Sequence, residues 1–256
     1  ECGLTNLAIC LPEKFFEFVL AIFSAPLELL LNLTKSLLTE PVNVSLFYTL
    51  WVIIVYIISL FYGLFFLFAG FNFMISGYDS SKRENAKTWL RNVIMMIIFV
   101  QASFFMYEII VEIGALLTAG VIGLIDPSFF LLKADDLGSL GLQLILLIPY
   151  LIVLLTTIIL LGLRYLLVSI GVVLFPFGAF FYFIPPLKHY GKMIINVLLI
   201  LIMITFFDAI LLFAASELTN LEIFTNLNTV VAIFAFIAVD VLMILMMLFA
   251  LAKAAF

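Results

Sequence analysis

From residue 44 onward the chain is built of apolar runs, with its few charges collected in the gaps between them. A helix crosses the hydrocarbon core of a bilayer, roughly 30 Å thick, with about 20 residues. Four runs meet that length: 46–76, 92–125, 193–216 and 230–252. A fifth, 143–183, is too long for one ordinary span. As a straight helix it would reach roughly 60 Å at about 1.5 Å per residue. It is expected to cross once in net terms and to break at Gly171, Pro176 and Gly178. Proline removes a backbone donor there, and glycine loosens the helix.

Ahead of these runs the pattern changes. In segment 12–38, Glu13, Lys14, Glu17, Glu28 and Lys35 interrupt the apolar residues, and Pro26 divides them. Two short amphipathic helices lying on the membrane surface fit this pattern better than a span. The acidic start and interrupted apolar core also argue against a secretory signal. The opening at Glu1 leads to the expectation that an upstream signal has been removed. The chain thus divides into an external, interfacial amphipathic segment, 1–43, and a transmembrane helical domain, 44–256. The expected fold is all-α: a polytopic helix bundle of about five net spans, the third of them broken.

Composition supports this division. The chain is 67% hydrophobic and 11% charged, and no soluble domain of this size hides that much apolar surface. The net charge of −5 is unevenly placed. Lys82, Arg83, Lys87 and Arg91 fall in the gap 77–91, Lys188 and Lys192 in the gap 184–192, and Lys253 near the end. Asp126, Asp135, Asp136, Glu217 and Glu222 occupy the other gaps. The excess of Lys and Arg assigns the first set to cytoplasmic loops of a multi-pass plasma-membrane protein. The N-terminus is then outside and the C-terminus cytoplasmic. The only cysteines, Cys2 and Cys10, lie in the external segment, where a disulfide is expected. Two candidate glycosylation sites, Asn32 and Asn43, lie there as well.

Candidate chemistry is sparse. The chain has no P-loop, GxGxxG, HExxH or GxSxG motif, and its single histidine, His189, sits beside Lys188. Two cysteines do not make a zinc site. These features point away from an enzyme and require no metal or cofactor. Five ionisable residues lie inside the predicted spans: Glu108, Glu112, Arg164, Asp208 and Asp240. Glu108 and Glu112, four apart, share a helix face. A polar path or proton relay is one reading of the five. Structural pairing inside the bundle is the other, and both stay open at this point. Lys82, Arg83, Lys87 and Arg91 fix topology and are suited to anionic lipid headgroups or nucleic acid.

Two segments carry a family resemblance. Residues 66–100 resemble the hairpin of conjugative type IV secretion membrane proteins, in which an apolar span ends in a Gly-Phe-x-Phe-Met-x-Ser-Gly turn. An acid and a basic run follow, and a second span returns. The matching positions are Gly70, Phe71, Phe73, Met74, Ser76, Gly77, Asp79, Lys82, Arg83, Ala86 and Lys87. Residues 163–202 are similar to the TrbL-type channel subunit and to the multispan protein of the crenarchaeal, and hence archaeal, DNA-exchange system. Arg164, Pro176, Gly178, Pro185, Pro186, Lys188, Gly191 and Lys192 follow that pattern. The resemblance implies a multimeric membrane component of a conjugation-like DNA transfer or import apparatus at the base of a pilus. It also implies a pilin and a cytoplasmic secretion ATPase as partners, transported DNA as cargo, and no catalytic residues. Two other functions remain on residue grounds: a secondary transporter or ion channel using the intramembrane carboxylates, and a structural membrane scaffold.

Overall fold

The computed structural model describes residues 18, 22, 26–76, 80–130, 140–221 and 227–255. Among them every regular element is helical. Hydrocarbon offers backbone groups no hydrogen bonds, so a long apolar run satisfies its own as a helix. Helix α1 covers 26–39. A 3₁₀ turn, Val44–Phe47, leads into α2 (Tyr48–Ser59) and α3 (Tyr62–Ile75). Then follow α4 (Ser80–Ile122), α5 (Leu140–Phe183), α6 (Lys188–Thr219) and α7 (Asn228–Ala255). Five stretches are long and apolar enough to cross a membrane: Val44–Ile75, Ser81–Ile122, Ile145–Phe183, Pro185–Thr219 and Asn228–Lys253. The protein is an all-α, multi-pass membrane protein.

Three features differ from the reading of the sequence. First, the break expected in the fifth apolar stretch is absent: α5 runs continuously through Gly171, Pro176 and Gly178. The two glycines serve close packing instead. A Cβ on Gly171 would overlap the Tyr107 hydroxyl and lie 2.8 Å from a methyl of Leu198. One on Gly178 would lie 3.1 Å from side-chain carbons of both Ile194 and Ile195. Small residues of this kind let membrane helices approach closely. Proline is tolerated inside such helices because neighbouring groups and local adjustments satisfy the freed carbonyl.

Second, the interruption lies in the first span, at Leu60 and Phe61. Their N–H groups bond to the carbonyls of Ile57 and Ile58, three residues back, at 3.3 and 3.0 Å. The Ser59 hydroxyl donates to the Tyr56 carbonyl at 2.6 Å. A serine competing for main-chain carbonyls in this way bends a helix. Third, the basic residues assigned to loops are helical. Lys82, Arg83, Lys87 and Arg91 occupy the first turns of α4, and Lys188 and Lys192 those of α6. Only Ile184 and the 3₁₀ turn Pro185–Leu187 separate α5 from α6. Cations in the first turn of a helix oppose its dipole, so Lys82, Arg83 and Lys188 do not serve helix stability there.

The chain divides into two compact units. Unit 1 contains residues 1–40, 115–164 and 204–245, and unit 2 contains 41–114, 165–203 and 246–256. In unit 1, Tyr150, Leu154, Leu161, Leu212, Phe236 and Met243 are fully buried. Helix α1 contributes Leu27, Leu31, Thr34 and Leu38, a buried stripe along one face. It is thus packed along that face, while Glu28, Asn32 and Leu29 on its other side are exposed. In unit 2 the core is Ile58, Met96, Val100, Tyr107, Val168 and Val172. The Trp51 indole N–H donates to the buried Ser103 hydroxyl at 2.8 Å, which donates in turn to the Val100 carbonyl at 2.7 Å. Outward positions carry large apolar side chains, such as Leu67 at 76% exposure. This is the surface expected where lipid is the solvent.

Candidate functional site

The interior of unit 1 holds a layer of polar side chains. Thr157 and Arg164 lie seven residues apart on α5, two helical turns along the same face. Thr205 and Asp208, three apart on α6, share a face as well. Asp240 on α7 falls between Phe236 and Met243 in the same inward row, and Thr118 comes from the last turns of α4. All six are buried, and Asp208, Thr118 and Thr157 have no exposed surface at all.

Hydrogen bonding within the layer is uneven. Thr118 donates to the Thr205 hydroxyl at 3.3 Å. Thr157 donates to the Val153 carbonyl at 3.0 Å and also meets the Asp240 carboxyl. Asp240 Oδ1 has no hydrogen-bond partner, and neither carboxyl oxygen of Asp208 has one. The Arg164 guanidinium acts on Asp208 electrostatically, as does Asp240 with the opposite sign. Asp208 therefore lies in the field of one cation and one further acid inside a low-dielectric interior, where an unpaired charge is costly. A layer of this kind has two chemical capacities: to hold helices in register through a charge pair, or to take up and release a proton or cation.

Of the five ionisable residues singled out in the spans, three come together here: Arg164, Asp208 and Asp240. Glu108 and Glu112 do not join them. They share a face of α4 as their spacing requires, but that face is exposed. The hydroxyls of Thr118, Thr157 and Thr205 were missed from the sequence. The seven-residue spacing of Thr157 from Arg164 was the available signal.

Unit 2 gathers a second set. Lys82, Arg83, Lys87, Arg91, Lys188, Lys192 and Lys253 all belong to it. All seven are exposed. The seven come from the starts of α4 and α6 and the end of α7. Between α3 and α4 a cavity of about 290 Å³ is lined by Phe68, Asn72, Ser76, Lys82, Asn85 and Trp89, among others. Phe68 and Trp89 meet edge to face across it, with ring centroids 5.2 Å apart.

The remaining candidates are simpler. Asn43 caps the 3₁₀ turn, accepting from the Ser45 N–H at 3.2 Å. Its own N–H donates to the Tyr165 hydroxyl at 3.0 Å. Asn32 is exposed on α1, whereas the threonine of its sequon, Thr34, is buried and donates to the Leu30 carbonyl at 2.8 Å. Cys2 and Cys10, with the expected disulfide, lie outside the described residues. Among the described residues no three His, Cys, Asp or Glu side chains gather in a group that would hold a metal. No protein-family model, characterised protein or solved structure matches the chain.

Proposed function

We propose that this protein is a non-enzymatic membrane subunit of a conjugation-type DNA transfer apparatus. It acts as a multimer beside a pilus, and a separate ATPase supplies the energy. The observation that carries this reading is the basic rim of unit 2, seven Lys and Arg side chains on three helix ends. Three of them, Lys82, Arg83 and Lys188, lie in the first turn of a helix, against its dipole. A polyanion entering or leaving a membrane conduit meets such a rim favourably, through contacts that weaken as salt rises. The α3–α4 hairpin and the α5–α6 region, which carry the resemblance to conjugation proteins, supply six of these basic residues. The excess of Lys and Arg in this rim supports a cytoplasmic side for it, with the N-terminus outside and the C-terminus inside.

The test is transfer of marked DNA between cells. Deleting the gene should abolish it. Replacing Lys82, Arg83, Lys87 and Arg91 with Gln should impair it while leaving the protein in the membrane. Normal transfer after deletion would sink the proposal.

A second reading rests on a different observation, the buried Asp208 with neither oxygen hydrogen-bonded. A carboxyl left in this state within a membrane interior suits ion-coupled transport. Purified protein that drives ion-coupled solute uptake in liposomes would favour this reading over the first.

A further inference from the structure

We infer that the cavity between α3 and α4 binds the headgroup of an anionic phospholipid. It lies wholly within unit 2, and the inference does not depend on what the protein conducts. Two facing stripes build the cavity. Phe68, Asn72 and Ser76 recur at four-residue intervals along α3 and its C-cap. Lys82, Asn85 and Trp89, separated by three and then four residues, share a face of α4. All six line the cavity. Its volume is about 290 Å³, whereas a cavity of about 150 Å³ already admits benzene. A phosphate with its ester substituents therefore has room.

The lining has a polar end and an aromatic end. Phe68 meets Trp89 across the hairpin, which leaves Asn72, Asn85 and Lys82 on the side nearer the turn. Lys82 supplies a cation, and the two asparagine amides supply N–H donors. None of the three makes a hydrogen bond or ion pair among the described residues. The Ser76 hydroxyl is already committed to the Phe73 carbonyl at 2.8 Å. Among the described residues no acidic side chain lines the cavity. A phosphate oxygen suits this donor set, through charge-assisted hydrogen bonds, and the cation of a zwitterionic headgroup finds no counterpart in it. The level in the membrane makes the phosphate that of a lipid. The apolar run 46–76 ends at Ser76, and the run 92–125 begins just beyond Trp89. The cavity therefore straddles the boundary of the hydrocarbon, where tryptophan is enriched. Lipid phosphates sit at that level, with their chains on the Phe68 and Trp89 side. A soluble phosphate would leave the aromatic end without a partner. Lys82 also opposes the α4 dipole from its first turn, a cost that a bound phosphate offsets.

The test uses the full chain with Trp51→Phe, which leaves Trp89 as its only tryptophan, reconstituted in phosphatidylcholine vesicles. Phosphatidylglycerol or phosphatidylcholine with brominated chains is added in increasing proportion, and quenching of Trp89 is followed. Phosphatidylglycerol should reach half-maximal quenching at a mole fraction about fivefold lower, the weight of one cation near a membrane surface. Lys82→Gln should abolish this preference. Lys87→Gln, which removes the same charge from α4 outside the lining, should leave it largely intact. Asn85→Leu, at an exposed position, should weaken it with the charge unchanged. Equal quenching by the two lipids would overturn the inference. Equal loss of preference in Lys82→Gln and Lys87→Gln would also overturn it, reducing the effect to diffuse surface charge. Inorganic phosphate or a single-stranded oligonucleotide is added separately to pure phosphatidylcholine vesicles. A shift of Trp89 emission by either, with no preference for phosphatidylglycerol, would overturn it in favour of a soluble ligand. Mass spectrometry of the unmodified chain released from detergent gives a second measurement, independent of the Trp51 replacement. It should show one retained phosphatidylglycerol that Lys82→Gln loses, and equal retention by both chains would count against the site.

Discussion

The Tyr107 hydroxyl donates to the Val168 carbonyl at 2.6 Å, in space that is open only because residue 171 is glycine. The bond joins α4 to α5 where both are fully buried, and the Tyr107 ring also rests on Phe175 with centroids 5.5 Å apart. Gly171→Ala would place a methyl against that hydroxyl and against Leu198. Overpacking of this kind costs about 1–3 kcal/mol, so the variant should melt earlier in detergent. Removing the hydroxyl by Tyr107→Phe in the same chain should restore part of the stability. If Gly171→Ala melts like wild type, the close approach of α4 and α5 is misplaced.

Ser103 presents a simpler case. It links the Trp51 indole to the Val100 carbonyl through one buried hydroxyl. Ser103→Ala leaves the indole N–H buried without a partner, at a cost of about 1–3 kcal/mol. Trp51 is one of two tryptophans, so its fluorescence reports the site in a Trp89→Phe background. The expected result is a lower melting temperature and a shifted emission maximum. Unaltered emission would mean that the indole is not held by Ser103.

Much of this architecture was legible in the sequence because hydrocarbon permits a long apolar run little besides a helix. The five spans follow from run length alone. The break at Leu60 does not, since it rests on a serine bonding to a local carbonyl rather than on glycine or proline. Conversely, Gly171 and Gly178 look like breaks and prove to be points of close packing, a distinction that only the neighbouring helices decide. The candidate site was half legible. Acids and Arg164 stand out against apolar runs, but nothing in the runs says which face points inward. Soluble helices reveal that through their polar side, whereas a helix in lipid is apolar on both. Glu108 and Asp208 therefore look alike in sequence and lie in opposite environments. Thr118, Thr157 and Thr205 are not distinctive residues in a membrane helix, because such hydroxyls commonly bond to their own backbone.

Topology is open to direct measurement. Ser81 is exposed at the start of α4, and Leu221 is exposed just beyond α6. Ser216 is a poor probe, being buried with its hydroxyl on the Phe213 carbonyl. In a background lacking Cys2 and Cys10, Ser81→Cys should react only after a reagent enters the cell. Leu221→Cys should react in intact cells with an impermeant reagent. The basis is the gathering of Lys and Arg in unit 2 together with the cytoplasmic excess of such residues. Labelling of both positions from one side would contradict an odd number of crossings between them.

The last prediction separates structure from transport at the polar layer. Arg164 acts on Asp208, while Asp240 is engaged by Thr157. Arg164→Ala removes the cation that acts on Asp208 and leaves the buried acid without compensation, which destabilises the fold. The variant should yield little folded protein. Adding Asp208→Asn should recover part of the yield, because the orphaned charge goes with it. Adding Asp240→Asn should recover less. Equal rescue by both acids, or by neither, would remove the pairing. Function then divides the readings. If the layer only holds helices in register, the Asp208→Asn and Asp240→Asn chains should fold and transfer DNA nearly as well as wild type, since a wide conduit does not depend on one carboxyl. If the layer couples ions to transport, the same chains should fold and lose flux in liposomes entirely. Measuring both quantities on each variant assigns the polar layer to one role or the other.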